Sequence, residues 1–270
     1  METGINLLGE SKANERELIK NLSILRSKIS SKAIHDIRVA IKKLRAYCDL
    51  LNELDEHGSK NDLPQTKSLF DVLGKHREWD IILKHLQKSP HDLSELCPLF
   101  VSHIQQAKEQ VSHLIKSALD AYDSNEVEEM NRIVEGLIGT MTLHKVATNS
   151  KTLITKHVRN LKELSTHFKK QAHHCRKSLK VVFYWINLFP PATLFSKKQI
   201  EHLEDFLDKL GKWHDFEIVL DKIKNYRKDY LSRSLNEYQA LKKIETDIKI
   251  KRDKLFYRLK PQAIMSELKS

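Results

Sequence analysis

Apolar residues recur at helical spacing over most of this 270-residue chain. Leu18, Leu22 and Leu25 give a predicted helix over residues 14–26 one core-facing side. The next predicted helix carries an apolar stripe and ends near Leu54, where turn-forming residues up to Pro64 supply stop signals. The connection there is short, which predicts an antiparallel return of the chain.

The same periodicity predicts further helices along the chain. One begins near Pro64 and ends before residue 89, and two more cover residues 99–122 and 127–137. Seven glycines and six prolines are few for this length. Because many short strands would need many turns, this composition favours an all-α fold.

One predicted helix carries a basic face next to its apolar stripe. His35, Arg38, Lys42 and Arg45 are spaced three, four and three residues apart, so they project from one side of the helix. Like charges on successive turns repel each other slightly, and an extended polyanion along the face would replace that repulsion with attraction. The pattern therefore indicates a binding face for an anionic polymer.

The basic face occurs twice in the chain. The histidine, arginine and lysine of the first copy recur in the same order and at the same spacing as His173, Arg176 and Lys180. A second motif, LFDVLGKHREWDIIL, recurs as FLDKLGKWHDFEIVL, which places Gly74 against Gly211. The two motifs repeat at offsets that differ by a single position. Two different motifs repeated at nearly the same spacing indicate an internal duplication.

The duplication predicts two related helical halves, residues 1–140 and residues 141–270. Gly136 and Gly139 indicate a break in the helical pattern, and residues 137–150 are predicted to form the hinge between the halves. Basic residues over 236–268 are predicted to lie on the last helices of the second half.

The overall charge agrees with an anionic partner. The formal net charge is +11 and the isoelectric point is near 9.4. No long apolar run and no signal-like N-terminus occurs, so the sequence predicts a cytoplasmic protein without a membrane span. Three widely separated cysteines in apolar contexts are predicted to be buried thiols: Cys48, Cys97 and Cys175.

The duplicated H-x-x-R-x-x-h-K pattern, each copy followed by an L-G motif with acidic residues, resembles the CHAD domain, the conserved histidine α-helical domain. The resemblance covers nearly the whole chain. It implies two pseudo-two-fold-related antiparallel helical bundles around a central basic cavity that binds inorganic polyphosphate, and it allows association with polyphosphate granules. Carried over by position, the predicted polyphosphate-binding residues are His35, Arg38, Lys42, Arg45, Lys75, Arg77, His173, Arg176, Lys180 and Lys212.

The second copy departs from the family pattern. Phe183 stands where the family has arginine, and His214 replaces the arginine of the L-G motif, while Glu78 replaces an aspartate in the first copy. These differences predict weaker phosphate binding by the second half. A carboxylate facing a polyanion would repel it, so the acidic residues of the motif are predicted to orient arginines and lysines instead: Glu78, Asp80, Asp215 and Glu217.

Other functions find less support in the sequence. No spacing of histidines and cysteines matches a metal site, no glycine-rich loop matches a nucleotide site, and no catalytic residues are predicted. The sequence therefore predicts that the protein has no cofactor and is not an enzyme. The alternative is a general polyanion or nucleic-acid binder, disfavoured because the first basic face has no interleaved aromatic residues.

Gly74 and Gly211 are predicted to allow close helix crossing, and Trp79, Trp185 and Trp213 to fill the core.

Overall fold

The computed structural model describes residues 7–54, 63–87, 93–140, 143–188 and 195–268. Within these ranges the chain is all-α, as predicted, with no strand. The helices are α1 (Leu7–Ser27), α2 (Ser31–Leu54), α3 (Pro64–Leu86), α4 (Leu93–Leu96), α5 (Pro98–Ala121), α6 (Asn125–Thr140), α7 (Leu143–Thr166), α8 (Phe168–Ile186), α9 (Lys197–Tyr230), α10 (Asn236–Tyr257) and α11 (Pro261–Glu267).

Several predicted helix boundaries are confirmed. α2 ends at Leu54, and α3 begins at Pro64, where a proline lacks an N–H that the first helical position does not need. α1 begins at Leu7, about two turns before the predicted start at Asn14. The stop signals over residues 55–62 lie outside the described residues.

The predicted break at Gly136 and Gly139 is wrong. α6 continues through both glycines to Thr140, and α7 already begins at Leu143. A glycine inside a helix costs about 1 kcal/mol relative to alanine. Val127 and Met130 of α6 are almost fully buried, and their packing offsets that cost.

The described chain forms two compact units. The first contains residues 1–70, 121–208 and 260–270, and the second contains residues 71–120 and 209–259. The two segments of the second unit begin within one position of equivalent points of the sequence repeat, shortly before Gly74 and Gly211. Each unit thus combines equivalent segments of the two predicted halves, and the repeat boundary near residue 140 stays a prediction.

In the first unit α2 packs against α1, α6, α7 and α8. Its apolar stripe is confirmed as core, with Ile34, Ile37, Ile41 and Leu44 fully buried. This burial leaves one side of α2 for polar residues, and the basic face lies there.

The second unit has its own core, in which Ile82, Phe100 and Val219 are fully buried. Its α5 begins against Glu237, a buried residue of α10. The Glu237 carboxylate accepts hydrogen bonds from the backbone N–H groups of Leu99 at 3.2 Å and Phe100 at 2.7 Å. A carboxylate at a helix N-terminus satisfies free donors and interacts favourably with the helix dipole.

Three smaller predictions can be compared with the structure. Cys48, Cys97 and Cys175 are confirmed as buried free thiols. Close helix crossing at Gly211 is wrong, because a Cβ added there would meet no atom within 4 Å, and nothing in the described structure explains the glycine. None of the described helices is long and apolar enough to cross a membrane.

Candidate anion-binding site

The first basic face lies along α2, beside the buried stripe. His35 is exposed, and Arg38, Lys42 and Arg45 are half-buried. Half-burial is expected for long basic side chains that lay their methylene groups on apolar surface and keep the charged end near water. All four predicted residues of this face therefore keep part of their surface accessible to solvent.

Three of these cations surround one aromatic ring, that of Phe70 in α3. The distances to the ring centroid are 3.8 Å from Arg38 Cζ, 5.8 Å from Lys42 Nζ and 5.9 Å from Arg45 Cζ. All lie within the range of about 6 Å in which a ring attracts a cation. Arg38 Nη1 also donates a hydrogen bond to the backbone carbonyl oxygen of Phe70.

The first turn of α3 is itself held in place by Glu126 of α6. The Glu126 carboxylate accepts hydrogen bonds from the backbone N–H groups of Gln65, at 3.1 Å, and Thr66. The Thr66 hydroxyl is 3.2 Å from the Tyr122 hydroxyl. These contacts hold the first turn of α3 in place. Phe70 follows one turn later, so they also help to position its ring next to α2.

The second basic face lies on α8. His173 is exposed, and Arg176 and Lys180 are half-buried, as are the corresponding residues of α2. Cys175 and Leu179 on the other side of the helix are fully buried. The two copies therefore share the same division into a core side and a basic side.

The helices that carry the two basic faces pack against each other within the first unit. Trp185 of α8 is 1% exposed, and its Nε1 donates a hydrogen bond of 2.5 Å to the backbone carbonyl oxygen of Ala46 in α2. The His157 ring meets the Trp185 ring edge-on, with centroids 4.7 Å apart. Trp185 thus joins α8 to α2 next to Arg45, and its predicted place in the core is confirmed.

The surroundings of His173 disfavour its charged form. Partial desolvation is the largest cause of its lowered pKa, followed by the charges of Lys177, Arg176 and His174. Burial raises the pKa of Tyr184 on the same helix, an effect that Arg176 opposes. Partial burial and, to a smaller extent, the neighbouring positive charges thus lower the pKa of His173 on the α8 face.

Three predicted residues belong to the second unit. Lys75 and Lys212 are exposed and Arg77 is half-buried. Their role in binding stays a prediction. The seven remaining predicted residues all lie on α2 and α8 of the first unit.

The acidic residues of the L-G motifs do pair with basic side chains, and these pairs lie in the second unit. Asp80 accepts from Lys108 Nζ at 2.7 Å and lies 3.3 Å from Nδ1 of the buried His76. The other pairs are Glu78 with Lys222 at 3.0 Å and Glu217 with Arg252 at 2.8 Å. The observed partners are thus different from the predicted binding residues.

The sequence analysis did not predict the contacts of two residues with α2, Phe70 and Trp185. Phe70 is the second residue of the motif LFDVLGKHREWDIIL, but nothing in the local pattern shows that its ring lies near three cations of another helix. Trp185 is predicted only as a core residue, and its hydrogen bond to α2 depends on helix packing. The signal available for Phe70 was an aromatic residue within the repeated motif that has no aromatic counterpart in the second copy.

The described residues contain no group of three or more histidine, cysteine, aspartate or glutamate side chains placed to hold a metal ion. The site on α2 and α8 is instead formed by cationic and imidazole donors. Arginine and lysine can bind phosphate oxygens through charge-assisted hydrogen bonds, so these donors are chemically suited to an anionic ligand.

Comparisons with known proteins agree with the fold. The family model described as CHAD domain matches residues 13–223. The crystal structure of the CHAD domain from the plant Ricinus communis matches with a TM-score of 0.68 at 16% identity, over 99% of this chain and 90% of that one. No protein with curated annotation matches. Because the family model spans well over half of its length, the chain belongs to the CHAD domain family.

Proposed function

We propose that this protein binds inorganic polyphosphate, without catalysis, through the basic faces of α2 and α8. The observation that carries the proposal is the duplication of one cationic pattern on two helices that pack against each other. A single basic helix face is usually only a solvated surface. Membership of the CHAD family supports the same conclusion, because the motifs that define the resemblance are those that carry the charges.

The geometry of the α2 face suits a linear phosphate polymer. The axial distance from His35 to Arg45 is about 15 Å, at roughly 1.5 Å per residue of helix. The cations between them occur about once per turn. A polymer with a negative charge on every unit can contact several of them together, and the arginine forks can each hold two phosphate oxygens.

The second candidate is a nucleic acid, since its backbone carries the same phosphate chemistry. Single-stranded nucleic acid is usually bound with exposed aromatic side chains on which the bases stack. Phe70 of α3, which lies next to the α2 face, is half-buried, and its ring already has three cations within about 6 Å of its centroid. This arrangement favours a ligand that consists of phosphate alone.

Calorimetric titration with polyphosphate of defined chain length tests the proposal. We expect saturable binding of polyphosphate. Duplex DNA at the same phosphate concentration and ionic strength should not displace it. Fixed salt is essential, because both ligands bind more weakly as salt rises. Preferential binding of DNA would favour the second candidate, and the absence of saturable polyphosphate binding would refute the proposal.

Binding should tighten as the pH falls from about 7.5 to about 5.5, across the range in which histidine titrates. The pKa of His173 in the free protein lies below the ordinary value of 6.5, so the side chain is largely neutral at the upper pH. A bound polyanion stabilises the imidazolium and raises this pKa, so binding takes up a proton and is favoured by acid. Polyphosphate titrations at both pH values measure the effect.

The variant His173→Gln should lose a measurable part of this pH dependence, because glutamine cannot be protonated. His113→Gln is the matched control, since His113 is an exposed histidine of α5 in the second unit. It should keep the dependence of the wild-type protein. An equal pH effect in both variants would exclude a contribution of His173.

A further inference from the structure

We infer that Phe70 is a positioning residue that orients Arg38 for phosphate and makes the α2 face the stronger of the two binding faces. The inference rests on the proposed function and adds to it a residue outside both basic helices. Phe70 belongs to α3, and its ring centroid is 3.8 Å from Arg38 Cζ.

Phe70 contacts Arg38 at two points. The ring lies against the guanidinium group, and the backbone carbonyl oxygen accepts a hydrogen bond from Nη1. A guanidinium that contacts a ring through its face keeps the N–H groups of its plane as donors. Contact with Phe70 and contact with a phosphate are therefore compatible.

Such a double contact reduces the loss of conformational freedom when the ligand binds. A long side chain that is already held in one orientation has less entropy left to lose. The same ring attracts Lys42 and Arg45, whose charged groups lie 5.8 Å and 5.9 Å from its centroid. Phe70 thus offsets part of the repulsion among three cations that a polyphosphate needs close together.

Filling the core does not account for the position of this ring. The neighbouring Leu69 is almost fully buried, whereas Phe70 is half-buried. The ring lies within about 6 Å of the charged groups of three α2 side chains.

The second copy of the motif lacks this arrangement. In the repeat of the L-G motif, Leu207 stands at the position of Phe70 and has no aromatic face. In the repeat of the basic face, Phe183 stands at the position of Arg45, so the α8 face also has one cation fewer. The two faces are therefore unequal. Both contain an arginine at the same position of the repeat, Arg38 or Arg176, and the difference comes from the residues around it.

A double-mutant cycle tests the inference. Phe70→Leu introduces the residue of the second copy and should weaken binding of long-chain polyphosphate about ten-fold, while Phe70→Tyr keeps the ring and should stay within about two-fold of wild type. In an Arg38→Ala background the effect of Phe70→Leu should be several-fold smaller, because only the longer contacts of the ring with Lys42 and Arg45 remain. In an Arg176→Ala background it should persist. Thermal unfolding of each variant shows whether the fold is retained.

An equal effect of Phe70→Leu in the Arg38→Ala and Arg176→Ala backgrounds would overturn the inference, because a general structural role predicts that result. A second measurement needs no ligand. The ¹⁵N relaxation of the Arg38 Nε–H group should show increased motion in Phe70→Leu and little change in Phe70→Tyr. Unchanged motion in both variants would overturn the inference. Absence of polyphosphate binding by the wild-type protein would instead refute the proposed function and leave the relaxation result to decide the role of Phe70.

Discussion

Replacing both Arg38 and Arg176 by alanine should weaken polyphosphate binding by at least about 100-fold while the helices remain folded. Each charge-assisted contact between arginine and phosphate contributes roughly 1.5–3 kcal/mol, and about 1.4 kcal/mol corresponds to a factor of ten. Both residues are half-buried beside stripes of fully buried side chains. Alanine also has the highest helix propensity, so the backbone of α2 and α8 should persist.

The matched control removes the same charge from the same unit. Arg16 of α1 and Arg159 of α7 lie outside both basic faces. The variant Arg16→Ala with Arg159→Ala should bind within about three-fold of wild type, since surface charges at a distance are screened by salt. Calorimetry measures affinity, and circular dichroism verifies folding. Equal weakening in both double variants would show that net charge, rather than the assigned faces, determines binding.

Replacing Trp185 by alanine should lower the free energy of unfolding by about 3–5 kcal/mol, as expected for the truncation of a large buried aromatic residue. The side chain is 1% exposed and packs against His157. The change also removes the hydrogen bond from Nε1 to Ala46. Trp185→Phe should be less damaging, because it keeps most of the apolar contact and removes only the N–H donor. Urea denaturation followed by circular dichroism measures both variants.

Tyr257→Ala is the control for this prediction. Tyr257 of α10 is 83% exposed, and its truncation should change stability by no more than about 0.5 kcal/mol. A folded Trp185→Phe variant should also bind polyphosphate less tightly than wild type, because Trp185 joins the two helices that carry the basic faces. A stability of Trp185→Ala equal to that of Tyr257→Ala would contradict the assigned role of the indole.

The positions of the helices followed from the sequence where an apolar stripe and a terminal signal agreed. α2 and α3 are examples, since both carry a helical apolar pattern and Pro64 occupies the first position of α3. The prediction failed at Gly136 and Gly139, where local propensity indicated a break. α6 continues through both glycines, and Val127 and Met130 anchor its first half in the core, a tertiary contribution that helix propensity does not include.

The residues of the two basic faces could also be predicted from the sequence, because residues three and four positions apart on a helix lie on the same side. The partners of the acidic motif residues could not be predicted. Asp80 pairs with Lys108 and Glu217 pairs with Arg252, residues 28 and 35 positions away in the chain. Contacts at such separations depend on which helices pack together, and no local period encodes that.

The sequence by itself determined that the chain is helical, that one cationic pattern occurs on two helices, and that the first copy lies beside an apolar stripe. These features follow from spacing and side-chain chemistry, which act within a few turns of helix. Only the tertiary structure brought Phe70 to three cations of α2 and joined α8 to α2 through Trp185. It also combined segments of both halves in each compact unit. The physical reason is that close packing fixes contacts between distant residues through the shapes of whole helix surfaces, and a pattern read along one helix does not contain those shapes.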